Sequence, residues 1–317
     1  MKKILTSNGK ALADSTGKVL TFESDVTITR DNESIGLSGE YDGSPIEVTE
    51  AGKVDIKALI DEKKIPLEVN VSIEEKNTLK TLLDNTKSCY YLFSNYKGDN
   101  LSDLIQYNDT ENVTSFDYMF QMSGATSFPL IDTRNGTSFS YMYKQTNAES
   151  YPLIDTSKGT NFDYMYQGCL NATSFPLIDT RNGTRFSTMF GNCYKAPIIP
   201  AIDLRNGTNL YNMFYYNSAP TSILMYGMKV NFDISPCKLL EAEALVTILS
   251  NCQVVTSTKT ITMGSTLLAK LSGVYVKETG VEQYEGITCK PCVICESTDT
   301  GAMLATDYIT GKGWTLV

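Results

Sequence analysis

The sequence predicts an α/β solenoid of strand, turn and short-helix units, 23–24 residues each, with a small β domain ahead of the stack. Three observations predict it. The string FPLIDTRNGT occurs twice, at 128–137 and 175–184, and YPLIDTSKGT lies between them at 151–160. Apolar residues recur in register: Phe116, Phe139, Phe162, Phe186 and Leu210, then Met119, Met142, Met165, Met189 and Met213. Aspartates recur in the same way, at Asp132, Asp155, Asp179 and Asp203. A period of 20–29 residues with one short apolar run per copy marks a stacked repeat, because a single unit cannot bury its own apolar face.

Each element follows in chain order. Residues 1–70 are polar, strand-prone and punctuated by turn residues, which predicts a small β domain for attachment or oligomerisation. Residues 71–110 predict a capping helix and a degenerate first repeat. There Ser72 and Glu75 form a capping box, and Leu79, Leu82 and Leu83 form an apolar stripe. The regular stack is expected over 111–235. In each copy SFPLIDT reads as a short strand, with Pro129, Pro152, Pro176 and Pro200 at strand starts, where a missing N–H matters least. RNGT then turns the chain, with Gly136, Gly159, Gly183 and Gly207 free to take positive φ. Thr137, Thr160, Thr184 and Thr208 fall where a helix N-cap belongs, and Asp163 lies three residues after Thr160. FDYMF places Phe116, Met119 and Phe120 at i, i+3 and i+4, the inward face of a short helix. Residues 236–317 read as C-terminal repeats and a cap: a helix over 238–252, a strand and helix in TKTITMGSTLLAKLSG, and a helix and last strand in the final segment. A stack needs such atypical ends so that its open edge does not recruit another chain.

The stretches FDYMYQGCLNATSFPLIDT and FSTMFGNCYKAPIIPAIDL resemble the BspA-like leucine-rich repeats, over about residues 86 to 235. Cys169 and Cys193 match that family's cysteine position, whereas Ser123, Thr146 and Asn217 depart from it. The two final strand-and-helix stretches resemble the closing segments of phage-encoded members. The resemblance implies a bacterial surface protein or a phage virion protein, several of which serve in attachment.

Composition narrows the classes. The net charge is −9 and no basic run is present, so an acidic surface argues against nucleic acid. Apolar runs are shorter than a membrane span needs. The chain has no histidine, the residue on which most general-base and zinc-hydrolase chemistry depends. An enzyme is therefore not expected, and neither is a cofactor.

Four features are candidate sites. Tyr118, Tyr141 and Tyr164 form a ladder two residues past the buried Phe positions, a stripe suited to binding a sugar or a partner protein, or to packing on itself. Asp132, Asp155, Asp179 and Asp203 form a structural ladder of turn caps, with Arg134, Arg181 and Arg205 as counter-charges. Calcium is the competing reading of that ladder. Cys289, Cys292 and Cys295 have CxxCxxC spacing, a weak zinc candidate lacking its fourth ligand unless Cys237 or Cys252 supplies it. The NGT sequons at Asn135, Asn182 and Asn206 read as turn chemistry.

The start MKKILTSNGKALADSTGKVL is charged but has no apolar core behind it, so no secretory signal is expected. The expectation is a phage virion structural protein: a head fibre, a decoration protein, or a tail or baseplate protein. It is assembled in the host bacterial cytoplasm, held to other virion proteins by the N-terminal module, and displays the solenoid to a host surface protein or glycan. It is expected to touch neither nucleic acid nor membrane, and could form a trimer. The alternative is an adhesin on the bacterial cell surface.

Overall fold

A computed structural model describes residues 2–3, 21–22, 27–30, 33–36, 48–49, 53–54, 73–98, 101–102, 104–284 and 287–317, with side chains at 79–98, 101–102, 104–282 and 290–317. The chain falls into two compact units, Met1–Ala148 and Glu149–Val317. In the first unit, strands β1 (Lys2–Lys3) and β2 (Thr21–Phe22), β3 (Thr27–Arg30) and β4 (Glu33–Gly36), and β5 (Val48–Thr49) and β6 (Lys53–Val54) form three antiparallel pairs. The rest of the expected N-terminal β domain, and the capping residue Ser72, lie outside the described residues. Helix α1 spans Ile73–Thr86, buries Leu83, and reaches the turn at Tyr107–Thr110 through Lys80, which pairs with Glu111 at 2.7 Å.

The FDYMF segments are not helices. Two or three consecutive turns close within each copy, as in Met119 N–H to Phe116 O, Gln121 N–H to Tyr118 O and Ser123 N–H to Phe120 O. Tyr118 (φ 60°) and Met122 (φ 55°) take the left-handed conformation that a type II turn needs at its third position. The remaining N–H groups point along the stack. Phe116, Tyr118, Phe120 and Met122 donate to the carbonyls of Ser138, Ser140, Met142 and Lys144 at 2.8–2.9 Å. The same four-rung pattern joins Cys89, Tyr91, Phe93 and Asn95 to the segment that begins at Ser115. In the second unit it joins Phe162, Tyr164, Tyr166 and Gly168 to the segment at Arg185, and Phe186, Thr188, Phe190 and Asn192 to the segment at Asn209. Parallel bridges Ser88–Ser115, Ser115–Ser138, Asn161–Arg185 and Arg185–Asn209 fix the register. A helix would close its N–H groups on itself; here alternate groups remain for the neighbouring copy, so every turn is stitched on one side.

This geometry still buries positions i, i+3 and i+4. Phe116, Met119 and Phe120, with their counterparts through Phe214, are fully buried. Rings at one register stack face to face, Phe116 on Phe139 at 5.5 Å in the first unit and Phe162 on Phe186 at 5.4 Å in the second. Gly136 and Gly183 do not take positive φ. A Cβ on Gly136 would lie 2.5 Å from the Phe139 ring, and one on Gly183 2.2 Å from the Phe186 ring, so it is the ring that requires glycine.

The PLID segments form a regular strand only in β7 (Ile198–Asp203), which pairs in parallel with β8 (Ser222–Tyr226). Its register shifts between Ile199 and Ile202, the stretch that holds Pro200. The copies at 128–132, 151–155 and 175–179 form no strand, although β7 pairs with Pro200 at the same register. Ile131, Ile154 and Ile178 turn inward while Leu130, Leu153 and Leu177 are exposed.

Beyond β8 the second unit ends on different elements. β9 (Phe232–Asp233), β10 (Lys259–Thr262) and β16 (Trp314–Leu316) form a parallel sheet in the order β16–β10–β9. Helices α2 (Ala242–Ser250), α3 (Gly264–Leu271) and α4 (Ala305–Gly311) occupy the stretches the sequence marks as helical. β11 (Tyr275–Glu278) lies antiparallel between β14 (Cys292–Cys295) and β15 (Met303–Leu304), and β12 (Glu282–Tyr284) pairs with β13 (Ile287–Cys289). Trp314 is buried and its indole N–H donates to Gln253 O at 2.8 Å. Among the described residues no helix is long and apolar enough to cross a membrane.

Candidate functional site

The repeat turns polar residues into ladders. The carboxylate of Asp132 accepts the backbone N–H of Arg134 at 3.1 Å, and Asp155, Asp179 and Asp203 do the same for Ser157, Arg181 and Arg205 at 2.9–3.0 Å. Arg134, Arg181 and Arg205 also pair side chain to side chain with the aspartate of their own copy. The Arg134 side chain holds the Asp132 carboxyl below the usual carboxylate range against the opposing effect of burial. The oxygens a calcium ion would use are thus turned to guanidinium and backbone groups. Asp179 and Asp203, with Leu177, Ile178, Thr180, Arg181 and Ala201, line a shallow cleft of about 180 Å³.

The threonines and asparagines of RNGT form further rungs. Thr137, Thr184 and Thr208 hydroxyls donate to Thr114 O, Thr160 O and Thr184 O at 3.0–3.1 Å, so they tie copies together instead of capping helices. Asn135, Asn182 and Asn206 amides donate to the carbonyls of Glu111, Ser157 and Arg181 at 2.7–2.8 Å. Asp163 likewise reaches forward, accepting Ser187 N–H at 2.7 Å and pairing with Arg185. Cys193 and Asn217 both bond the carbonyl 27 residues back, Tyr166 O and Phe190 O, which explains why asparagine can stand at the cysteine position.

Two of the nominated tyrosines meet within the first unit. The Tyr118 and Tyr141 rings stack at 4.4 Å and 9°, Tyr90 and Tyr91 pack against Tyr118, and the Lys144 ammonium sits 4.8 Å from the Tyr141 centroid. Burial raises the Tyr118 phenol well above its ordinary range. Their ring faces are therefore used on one another. Tyr164 takes the same left-handed turn position, φ 60°, in the second unit.

Cys292 and Cys295 are three residues apart on β14, so strand alternation sets them on opposite faces and they cannot share a metal. The Cys289 side chain lies outside the described residues, and Cys237 and Cys252 are buried free thiols. Burial pushes the Cys252 thiol up to about 12. Among the described residues no cluster of three or more metal-ligating side chains occurs.

One cluster escapes sequence reasoning. Tyr194, Tyr211, Tyr215 and Tyr216 are 50%, 69%, 42% and 62% exposed. The Tyr215 and Tyr216 rings lie 4.2 Å apart, tilted by 55°. A hydrogen bond with Tyr216 raises the Tyr215 phenol, and Tyr211 and Tyr194 are close enough to add smaller effects. The signal was present in NLYNMFYYN, where tyrosine fills registers that hold Ser187 and Gly191 in the preceding copy. It went unread because those tyrosines do not recur.

The ladder of tandem turns makes this a chain of repeated copies. Residues 87–196 and 131–226 match the family model described as "Mycoplasma protein of unknown function, DUF285", two overlapping matches of the kind repeated copies produce. No curated protein and no solved structure matches the chain.

Proposed function

We propose that the chain is a non-enzymatic display protein, a solenoid of the BspA-like leucine-rich-repeat class that works as a phage virion structural protein. As a head fibre, decoration protein, or tail or baseplate protein, it would be held to the particle through residues 1–70. The repeat face would then meet a host surface protein or glycan. The observation that carries this reading is the four-rung backbone ladder at each described junction between copies within a unit. Such a ladder fixes rows of side chains at constant spacing, which suits presentation of a surface. Placement on a virion is supported by the likeness of the closing segments to phage-encoded repeat proteins. A trimer assembled through residues 1–70 fits the same reading.

The alternative, an adhesin on the bacterial cell surface, is favoured by one finding: the matching family is described as a Mycoplasma protein. Peptide mass spectrometry of density-banded particles and of cell-envelope fractions separates the two. The virion reading expects this chain's peptides in the particles at the level of other structural proteins. Recovery from the envelope alone would replace it with the adhesin. Incubation with host glycans is expected to give binding with no new reducing ends, and any turnover would overturn both.

A further inference from the structure

We propose that Tyr194, Tyr211, Tyr215 and Tyr216 form an open stacking platform for an uncharged carbohydrate chain. The inference rests on the display reading above and gives that display its ligand class and its place. Tyr194, Tyr211 and Tyr216 leave half or more of their area exposed and Tyr215 leaves 42%, more open aromatic surface than packing between copies accounts for. Tyr215 and Tyr216, tilted by 55°, offer two ring planes at an angle, each able to cover the C–H face of one sugar ring. A polar group fringes the rings: the Tyr194 hydroxyl donates to Asn192 Oδ1 at 2.8 Å, and the Asn192 N–H donates to Tyr215 O at 2.7 Å.

The same copy ends the backbone ladder. At each described junction the register of Phe186, Thr188, Phe190 and Asn192 donates onward. In the last copy the corresponding N–H groups of Leu210, Asn212, Phe214 and Tyr216 donate to no backbone carbonyl among the described residues. Aromatic faces beside hydrogen-bond donors match a ligand that carries C–H faces and hydroxyl oxygens together.

The geometry favours a sugar over a protein. A protein hot spot is a desolvated pocket, whereas none of these tyrosines lines the cleft at Asp179 and Asp203. The rings and amides carry no charge, so a charged polymer gains nothing from them.

The test is affinity electrophoresis of the full chain through gels containing dextran, mannan, galactan or β-1,4-glucan. The variants are Tyr211→Ala, Tyr211→Phe, Tyr216→Asn and Tyr118→Ala. Asparagine is used at 216 because φ there is 51°, a left-handed conformation that it tolerates. At least one polysaccharide is expected to retard the protein. Tyr211→Ala and Tyr216→Asn should each weaken retention about tenfold, and Tyr211→Phe by no more than about twofold. Tyr118→Ala should leave it unchanged. Thermal melts matching the parent chain establish that the variants fold. Retention that survives Tyr211→Ala and Tyr216→Asn, or that is lost instead with Tyr118→Ala, overturns the platform and leaves the display reading intact. Failure of all four polysaccharides to bind also overturns it. Release of soluble fragments from a retained polysaccharide overturns the display reading itself.

Discussion

The behaviour of Asp132 follows from what its two oxygens touch. It is buried, bonded to the Arg134 backbone and paired with the Arg134 side chain, and its carboxyl is held below its ordinary value of 3.8. A depressed carboxyl contributes stability in full above that ordinary value and loses it as pH falls through the lowered native one. Asp132→Asn keeps the turn acceptor but not the charge. It should cost about 1–2 kcal/mol at neutral pH, the lower part of the range for charged hydrogen bonds because Arg134 is more than half exposed. Urea unfolding from about pH 6 to about pH 2 checks this, since the gap between variant and parent should close at the acid end. An unchanged gap would mean that the pair's charge does not matter. The sequence showed this partnership through the Asp-x-Arg spacing alone. It did not show that Gly136 and Gly183 serve the Phe139 and Phe186 rings, because that contact depends on where the ring of the same copy folds back.

The tandem-turn segment is the element that defines each copy. Its inward residues were legible, since burial at i, i+3 and i+4 is common to a helix and to this chain of turns. The type of element was not, because one copy read alone favours a helix, and only a neighbour in register supplies acceptors for the alternate N–H groups. The left-handed positions are a consequence. Tyr118, Tyr141, Tyr164, Thr188 and Asn212 share one register at φ 53–60°. For a β-branched residue that conformation is strained by about 1 kcal/mol, whereas asparagine accepts it. Thr188→Asn, which copies the residue at 212, should therefore stabilise the protein by about 0.5–1 kcal/mol, read as a rise in the urea midpoint with unchanged slope. If Thr188→Asn destabilises, the hydroxyl or methyl of Thr188 contributes more than the backbone strain costs.

At the scale of the whole molecule the copies should be interchangeable. Removing residues 138–184 joins Thr137 to Arg185, keeps FPLIDTRNGT once and continues directly into RFSTMF. Repeat stability is close to a sum of units and their junctions, so the shortened chain should fold cooperatively with lower stability and a smaller denaturant slope. Circular dichroism and urea titration check it. A chain that aggregates or melts without a transition would show that the copies are not equivalent.

The sequence by itself determined the period, the buried registers and the aspartate, asparagine and threonine rows. All of these are covalent spacings that any in-register stack must respect. Tertiary structure decided what each spacing builds: turns stitched to a neighbour where a helix was expected, and tyrosines at 118 and 141 spent on one another. The Tyr194–Tyr216 cluster was left exposed as well. These outcomes depend on which groups find partners across copies, and one copy's sequence does not contain the other half of a hydrogen bond.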